Sequence, residues 1–252
     1  MQINNQHLLF SYQNFITRLD EVKEYINHVL LIANMSLPTL LDLNSPSLSQ
    51  ESISRDLQKT LRASTYLLLY NLMESSMSEA INAIHETIKD EQRDILDLSE
   101  KLHRVILTSF QRGLTESKIG EYAKMNHDIR NNLLDLGYDK QRLFSGNIDC
   151  VVIDDYCKRY GFQAYVYRED GTTPLQWDPD IIKNIKKKRN ALAHGSQSFA
   201  ECGQNIVIDT IHNNLENVYA VLMAVFNGLN YFLENKRYLR TLPQQTQTNN
   251  LP

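Results

Sequence analysis

The chain has 252 residues, 42% of them hydrophobic and 22% charged, with a net charge of −4. A chain of this length buries about 70–75% of its unfolded surface, so a full apolar core forms without disulfide or metal staples. The mildly acidic balance excludes a generic polyanion binder and leaves nucleic acid only a local basic patch.

Cys150, Cys157 and Cys202 contain no CxxC pair. An odd, scattered set reads as reduced and cytosolic. His194 and Cys202 stand eight apart with no partner pair, and no histidine or cysteine falls at a zinc spacing, so no metal and no cofactor are expected. MQINNQHLLFSYQ at the start lacks the basic and apolar regions of a signal peptide. VLLIA at 29–33, among the longest apolar runs, is far too short to span a bilayer. A cytoplasmic protein without a membrane partner is expected.

Nine glycines and six prolines leave long uninterrupted segments of helical period. The first covers about residues 8–33, with Phe15, Leu19, Val22, Ile26 and Val29 at three-and-four spacing. LPTLLDLNSPS at 37–47 reads as a loop with two prolines. A second helix covers about 50–89, with a break expected near Ser75-Ser76, and a third about 92–111. A fourth is expected at 116–136, before Gly137. A fifth covers about 148–160, with Asn147 as N-cap and Gly161 beyond its end. FQAYVYREDGTTPLQW at 162–177 alternates and turns at Asp170-Gly171, which suggests a short strand or hairpin, with IVI at 206–208 as its partner. The last helix covers about 211–238, and PQQTQTNNLP from Pro243 reads as a disordered tail. The expectation is an all-α fold. One helical bundle of six to eight helices over residues 1–242 carries a short irregular or hairpin insertion, and a tail covers 243–252.

Before the last helix stands KKKRNALAHG, residues 186–195. Its helix is well marked. Asp178-Pro179 reads as N-cap and first helical residue, Trp177 as a staple onto Ile182, and Asp180 as a charge suited to the positive helix end. Ile181, Ile185 and Leu192 form one apolar stripe, and Gly195 suits the position after the C-cap, which places His194 at or beside that cap. The span is about 24 Å. Two readings stay open here. Lys186, Lys187, Lys188 and Arg189 would complement the dipole at the end of any helix. They would equally make a local anion site. Arg189 and His194, five residues apart, lie about 140° apart around a regular helix, so they share a site only if the helix end unwinds or a second chain contributes.

The run Arg189-Asn190-Ala191-Leu192-Ala193-His194 resembles the signature of the prokaryotic HEPN superfamily (higher eukaryotes and prokaryotes nucleotide-binding): Arg, a polar residue, three to five others, then His. LFSGNIDCVVIDDYCKRYGF at 143–162, IKKKRNALAHGSQSFAECG at 185–203 and YNLMESSMSEAI at 70–81 are similar to the MAE-type branch of that superfamily. The resemblance covers about residues 10–240. It implies an all-α dimer and a metal-independent endoribonuclease of toxin–antitoxin or antiviral defence systems, with RNA and an antitoxin or defence-system protein as partners. By motif match, Arg189 and His194 carry over as catalytic residues, with Asn190 as the polar residue beside them, while Lys186, Lys187 and Lys188 are expected, from their local charge, to gather substrate. Glu74 is similar to an acidic residue these folds often place near the site; the other reading is an ordinary helix carboxylate near Arg62 or a solvated one. Some family toxins carry a modifiable Tyr two residues after the His. Here Ser196 stands there, a departure that argues against this control. A second pair, Arg130-Asn131 in HDIRNNLLD, is followed at the matching distance by Asp135 and is assigned no chemistry.

With these residues, chemistry suggests a mechanism. His194 takes the proton of an RNA 2′-hydroxyl, a task to which imidazole is suited. Arg189 holds the phosphate, and the second chain's own His194 protonates the leaving 5′-oxygen. The expected products are a 2′,3′-cyclic phosphate and a 5′-hydroxyl. The competing reading is a non-catalytic dimeric module that binds RNA or a partner protein.

Overall fold

A computed structural model describes residues 1–42, 49–115, 138, 143, 144, 146–164, 172 and 174–240. The helix expected at 116–136, the turn at Asp170-Gly171, the Arg130-Asn131 pair and the tail from 243 lie outside them. Among the described residues the chain forms seven α-helices and one two-stranded sheet: α1 (Gln6–Asn34), β1 (Thr39–Asp42), β2 (Ser49–Ser52), α2 (Arg55–Asp90), α3 (Glu100–Thr115), α4 (Cys150–Tyr160), α5 (Pro179–Ala193), α6 (Phe199–Gln204) and α7 (Ile208–Glu234). The fold is an all-α bundle, as the periodicity predicts.

The spine is α2, 36 residues and about 54 Å long. It packs against α1, α5, α6 and α7. A helix with neighbours on so many sides is not limited to one narrow apolar stripe: Tyr66, Tyr70, Met73, Met77 and Ile84 form one buried row, and Thr65, Leu72, Ser76, Ala83 and His85 are buried well to either side of it. No break occurs at Ser75-Ser76. The Ser75 hydroxyl donates to the Leu72 carbonyl at 3.3 Å and Ser78 to the Glu74 carbonyl at 2.7 Å. These hydroxyls bond back onto the helix and leave its ladder intact.

The other differences have equally local causes. Residues 49–52 pair antiparallel with 39–42 (Thr39 opposite Ser52), where a loop and a helix start were expected. The segment Ser49-Gln50-Glu51-Ser52 has no apolar residue to extend the α2 stripe, and Ser54 caps that helix instead, accepting from the Leu57 amide. The third helix starts at Glu100, because the chain before it folds into a 3₁₀ turn at Ile95–Asp97, closed by the Asp94–Asp97 capping box. Backbone bonds from Ser99 to the Tyr238 carbonyl (2.8 Å) and from Arg240 to that of Asp97 (2.7 Å) hold this turn to the end of the chain. Residues 206–208 are no strand: Val207 is the N-cap of α7, which ends at Glu234. The short α6, unforeseen, is closed by the Ser198–Glu201 capping box. The cap of α4 is Asp149, two residues beyond Asn147, while Gly161 ends that helix as expected.

Candidate functional site

Helix α5 begins and ends as its sequence dictates. The Asp178 carboxylate accepts from the Asp180 amide at 2.8 Å, Pro179 opens the helix, and the Asp178 amide donates to Asn217 Oδ1 of α7 at 2.5 Å. Ile182, Ile185 and Leu192 are buried, and Ile181 is half-buried at the edge of that stripe. At the far end His194 is the C-cap and Gly195 turns to φ +68°. The Gly195 amide reaches the Leu192 carbonyl at 3.2 Å and the Ser196 amide that of Ala191 at 3.0 Å. This is the double closure that a left-handed glycine permits after a helix. The His194 residue is exposed. Its backbone closes the helix, and its ring makes no hydrogen bond among the described residues.

Arg189 is in different surroundings. Only 15% of its side chain is exposed. The guanidinium lies on the ring of Tyr70, its Cζ 3.6 Å from the centroid. Nη2 donates to Glu74 Oε2 at 3.3 Å and Nη1 to Asn190 Oδ1 at 2.9 Å. The second Glu74 oxygen accepts from the Gly146 amide at 2.7 Å, and the hydroxyl of the buried Tyr70 accepts from the Ile148 amide at 2.9 Å. Tyr70 and Glu74 are four residues apart on α2 and therefore present one face. Gly146 has φ +74°, and a Cβ there would stand 3.3 Å from Arg189 Nη1. Glycine thus serves both the turn and the close approach of the arginine.

Lys186 joins the same segment. It donates to Asn147 Oδ1 at 2.9 Å and pairs with the Asp149 carboxylate. Burial pushes the Asp149 carboxyl up, but the Lys186 bond and charge, with the amides of Val152 and Val151, outweigh it and hold the group below its ordinary value. Burial, joined by the Glu74 charge, raises the Tyr70 phenol, and the Ile148 bond and Arg189 oppose it without cancelling it. Residues 146–149 are thereby stitched to α2 and α5 at four points.

The structure therefore brings Arg189, Asn190 and Glu74 together. It places Lys186 beside them in a separate pair. Lys187 is exposed and Lys188 half-buried, and neither forms an ion pair among the described residues. His194 stands apart at the exposed helix end. The question over Glu74 is resolved in favour of Arg189, since Arg62 turns instead toward the Ile206 carbonyl at 3.5 Å. Sequence reasoning missed Tyr70, Gly146 and Asp149. A tyrosine one helical turn before a carboxylate on a core helix was the available signal for the first. Nothing local marked the others as more than a turn and a cap.

A guanidinium has five N–H donors. With two engaged by Glu74 and Asn190, three have no partner among the described residues and could meet the oxygens of an anion. The model of a MAE-type HEPN family matches residues 11–238. The chain belongs to the HEPN superfamily. HEPN domains are generally associated with ribonuclease or nucleotide-binding functions. No curated protein and no solved structure matches this HEPN chain. Among its described residues no helix is long and apolar enough to cross a membrane, and no group of three or more His, Cys, Asp or Glu could hold a metal ion.

Proposed function

We propose that this HEPN chain is a metal-independent endoribonuclease of a toxin–antitoxin or antiviral defence system, acting in the cytoplasm. The observation that carries the proposal is the state of Arg189: a mostly buried, oriented guanidinium with three N–H donors unmatched among the described residues, on the helix that ends in an exposed imidazole. In this reading Arg189 holds the scissile phosphate and stabilises charge developing on it. Asn190 fixes the guanidinium from the side. His194 removes the 2′-hydroxyl proton. The nucleophile lies within the substrate, so the chemistry calls for no metal-bound water. Lys187 and Lys188 draw RNA to the surface, while Lys186 and Glu74 are engaged in holding the site's own frame. The proton for the leaving 5′-oxygen comes from His194 of a second copy of the chain across a two-fold axis, which makes the functional unit a homodimer.

The test is the end chemistry of single-stranded RNA treated with purified wild type and with His194→Ala. A 2′,3′-cyclic phosphate and a 5′-hydroxyl, formed in the presence of EDTA and lost in His194→Ala, are expected, with DNA spared for want of the 2′-hydroxyl. Cleavage abolished by EDTA, or undiminished in His194→Ala, would overturn the mechanism.

The second reading, a non-catalytic dimeric module that binds RNA or a partner protein, takes its support from His194. A catalytic base is commonly oriented by a third group, and this ring has no hydrogen-bond partner among the described residues. The readings part on expression: a toxic wild type with a benign His194→Ala favours the nuclease.

A further inference from the structure

Three arginines of the described chain lie over tyrosine rings, and one pair differs from the others. Arg159 stands 5.4 Å from the centroid of Tyr156, and Arg237 stands 4.8 Å from that of Tyr231, an exposed ring. Arg189 stands 3.6 Å from that of Tyr70, a ring with no exposed surface. At 3.6 Å the guanidinium carbon is in van der Waals contact with the face of the ring, and with water excluded from the ring the attraction is at the strong end of its range. A fully buried tyrosine on a core helix would ordinarily lie among apolar side chains. This one spends a face on a cation and its hydroxyl on the Ile148 amide.

We propose that Tyr70 is a positioning residue for Arg189: its ring is the platform that fixes the plane of the guanidinium, and its hydroxyl anchors the segment that completes the cradle. The platform rests on the reading of Arg189 as the phosphate-holding group. Three contacts set the plane. The Tyr70 face defines it, Glu74 at 3.3 Å and Asn190 at 2.9 Å stop rotation within it, and Gly146 leaves room on the remaining side. The Tyr70 hydroxyl and the Glu74 carboxylate hold Ile148 and Gly146 respectively, so one face of α2 organises both the arginine and the backbone beside it. The covered face directs the spare N–H donors edge-on, the geometry in which a guanidinium grips phosphate oxygens. Loss of the platform leaves the charge in the site and frees its direction. Ground-state attraction for RNA then survives, and alignment with the charge of the transition state does not.

The experiment compares Tyr70→Phe with Tyr70→Met on two readouts. The first is the Arg189 Nε–H resonance in nitrogen-15 spectra, assigned with Arg189→Lys. In the wild type it is expected upfield of the other arginines through the ring current, with slow guanidinium rotation. Tyr70→Phe should keep both features, and Tyr70→Met should lose both. The second is RNA cleavage. Tyr70→Met should lower kcat by about 10- to 30-fold with KM within about 3-fold, and Tyr70→Phe, which keeps the ring but leaves the Ile148 amide without its acceptor, should fall between Tyr70→Met and wild type in kcat. Unchanged Arg189 resonance and kcat in folded Tyr70→Met would overturn the proposal. If Tyr70→Met does not fold, the wild-type spectrum decides, because an Arg189 signal without an upfield shift overturns it equally. A wild type that cleaves no RNA while its Arg189 signal is shifted and slow would sink the nuclease reading and leave the platform standing.

Discussion

Arg189 and His194 are five residues apart on one helix and sit in opposite surroundings. Arg189 is held by a ring, a carboxylate and an amide, beside a segment tied down by Tyr70, Glu74 and Lys186. His194 is exposed and contributes its backbone to the helix end. On the proposed reading, the half that would hold the anion is preorganised within one chain, and the half that would transfer protons is presented outward, where a substrate or a second copy could reach it. Preorganisation is worth most where charge develops, whereas a group that meets its partner across a two-fold axis must stay accessible.

The contrast is broken most severely at His194. His194→Ala should reduce RNA cleavage by about 10²–10⁴-fold, yet change stability by no more than about 0.5 kcal/mol, since the exposed ring makes no hydrogen bond or ion pair among the described residues. End analysis of the RNA and a urea melt on the same preparation check both halves. A large loss of stability would show that the ring is structural.

Glu74→Ala should behave in the reverse manner. It strands the Gly146 amide and removes a partner of a mostly buried guanidinium, at a cost of about 1–3 kcal/mol. Its denaturation midpoint should fall well below that of His194→Ala. Equal midpoints would dissolve the distinction between the two ends of α5.

Gly195→Ala sharpens it further. An alanine at φ +68° costs about 1 kcal/mol. The expected thermal shift is a few degrees, with cleavage impaired only so far as the cap carries His194 out of place.

The smallest effect concerns pH. The folded Asp149 carboxyl sits below its ordinary value, so the unfolded chain takes up its proton first as pH falls. Its contribution to stability is complete above the ordinary carboxylate range, near pH 4, and is lost as pH drops through the lower folded value. Asp149→Asn should flatten the fall of the melting temperature between about pH 5 and pH 2 relative to wild type. Parallel curves would place Lys186 elsewhere than against this carboxylate.

Much of this was legible in local pattern. The three-and-four spacing of Phe15, Leu19, Val22 and Ile26 marked α1. Asp178-Pro179 and Gly195 marked both ends of α5, because caps and helical period are set by residues within one or two turns of each other. The same arithmetic placed Arg189 and His194 on different faces. The pair Ser75-Ser76 misled because a hydroxyl that breaks a helix and one that, like that of Ser75, bonds back onto it look alike in sequence. Tertiary structure alone decided what surrounds the arginine. Tyr70 and Glu74 stand more than 70 residues before Gly146 and 115 or more before Arg189. They meet because α2 is buried between α5 and its other neighbours, and no periodicity encodes which faces two distant helices will turn to each other. By itself the sequence determined the helical class, both ends of α5 and, through the motif it resembles, the pair of residues on offer for chemistry. Packing determined that one of the pair would be gripped and the other left free, because grip requires converging surfaces and exposure requires only a helix end.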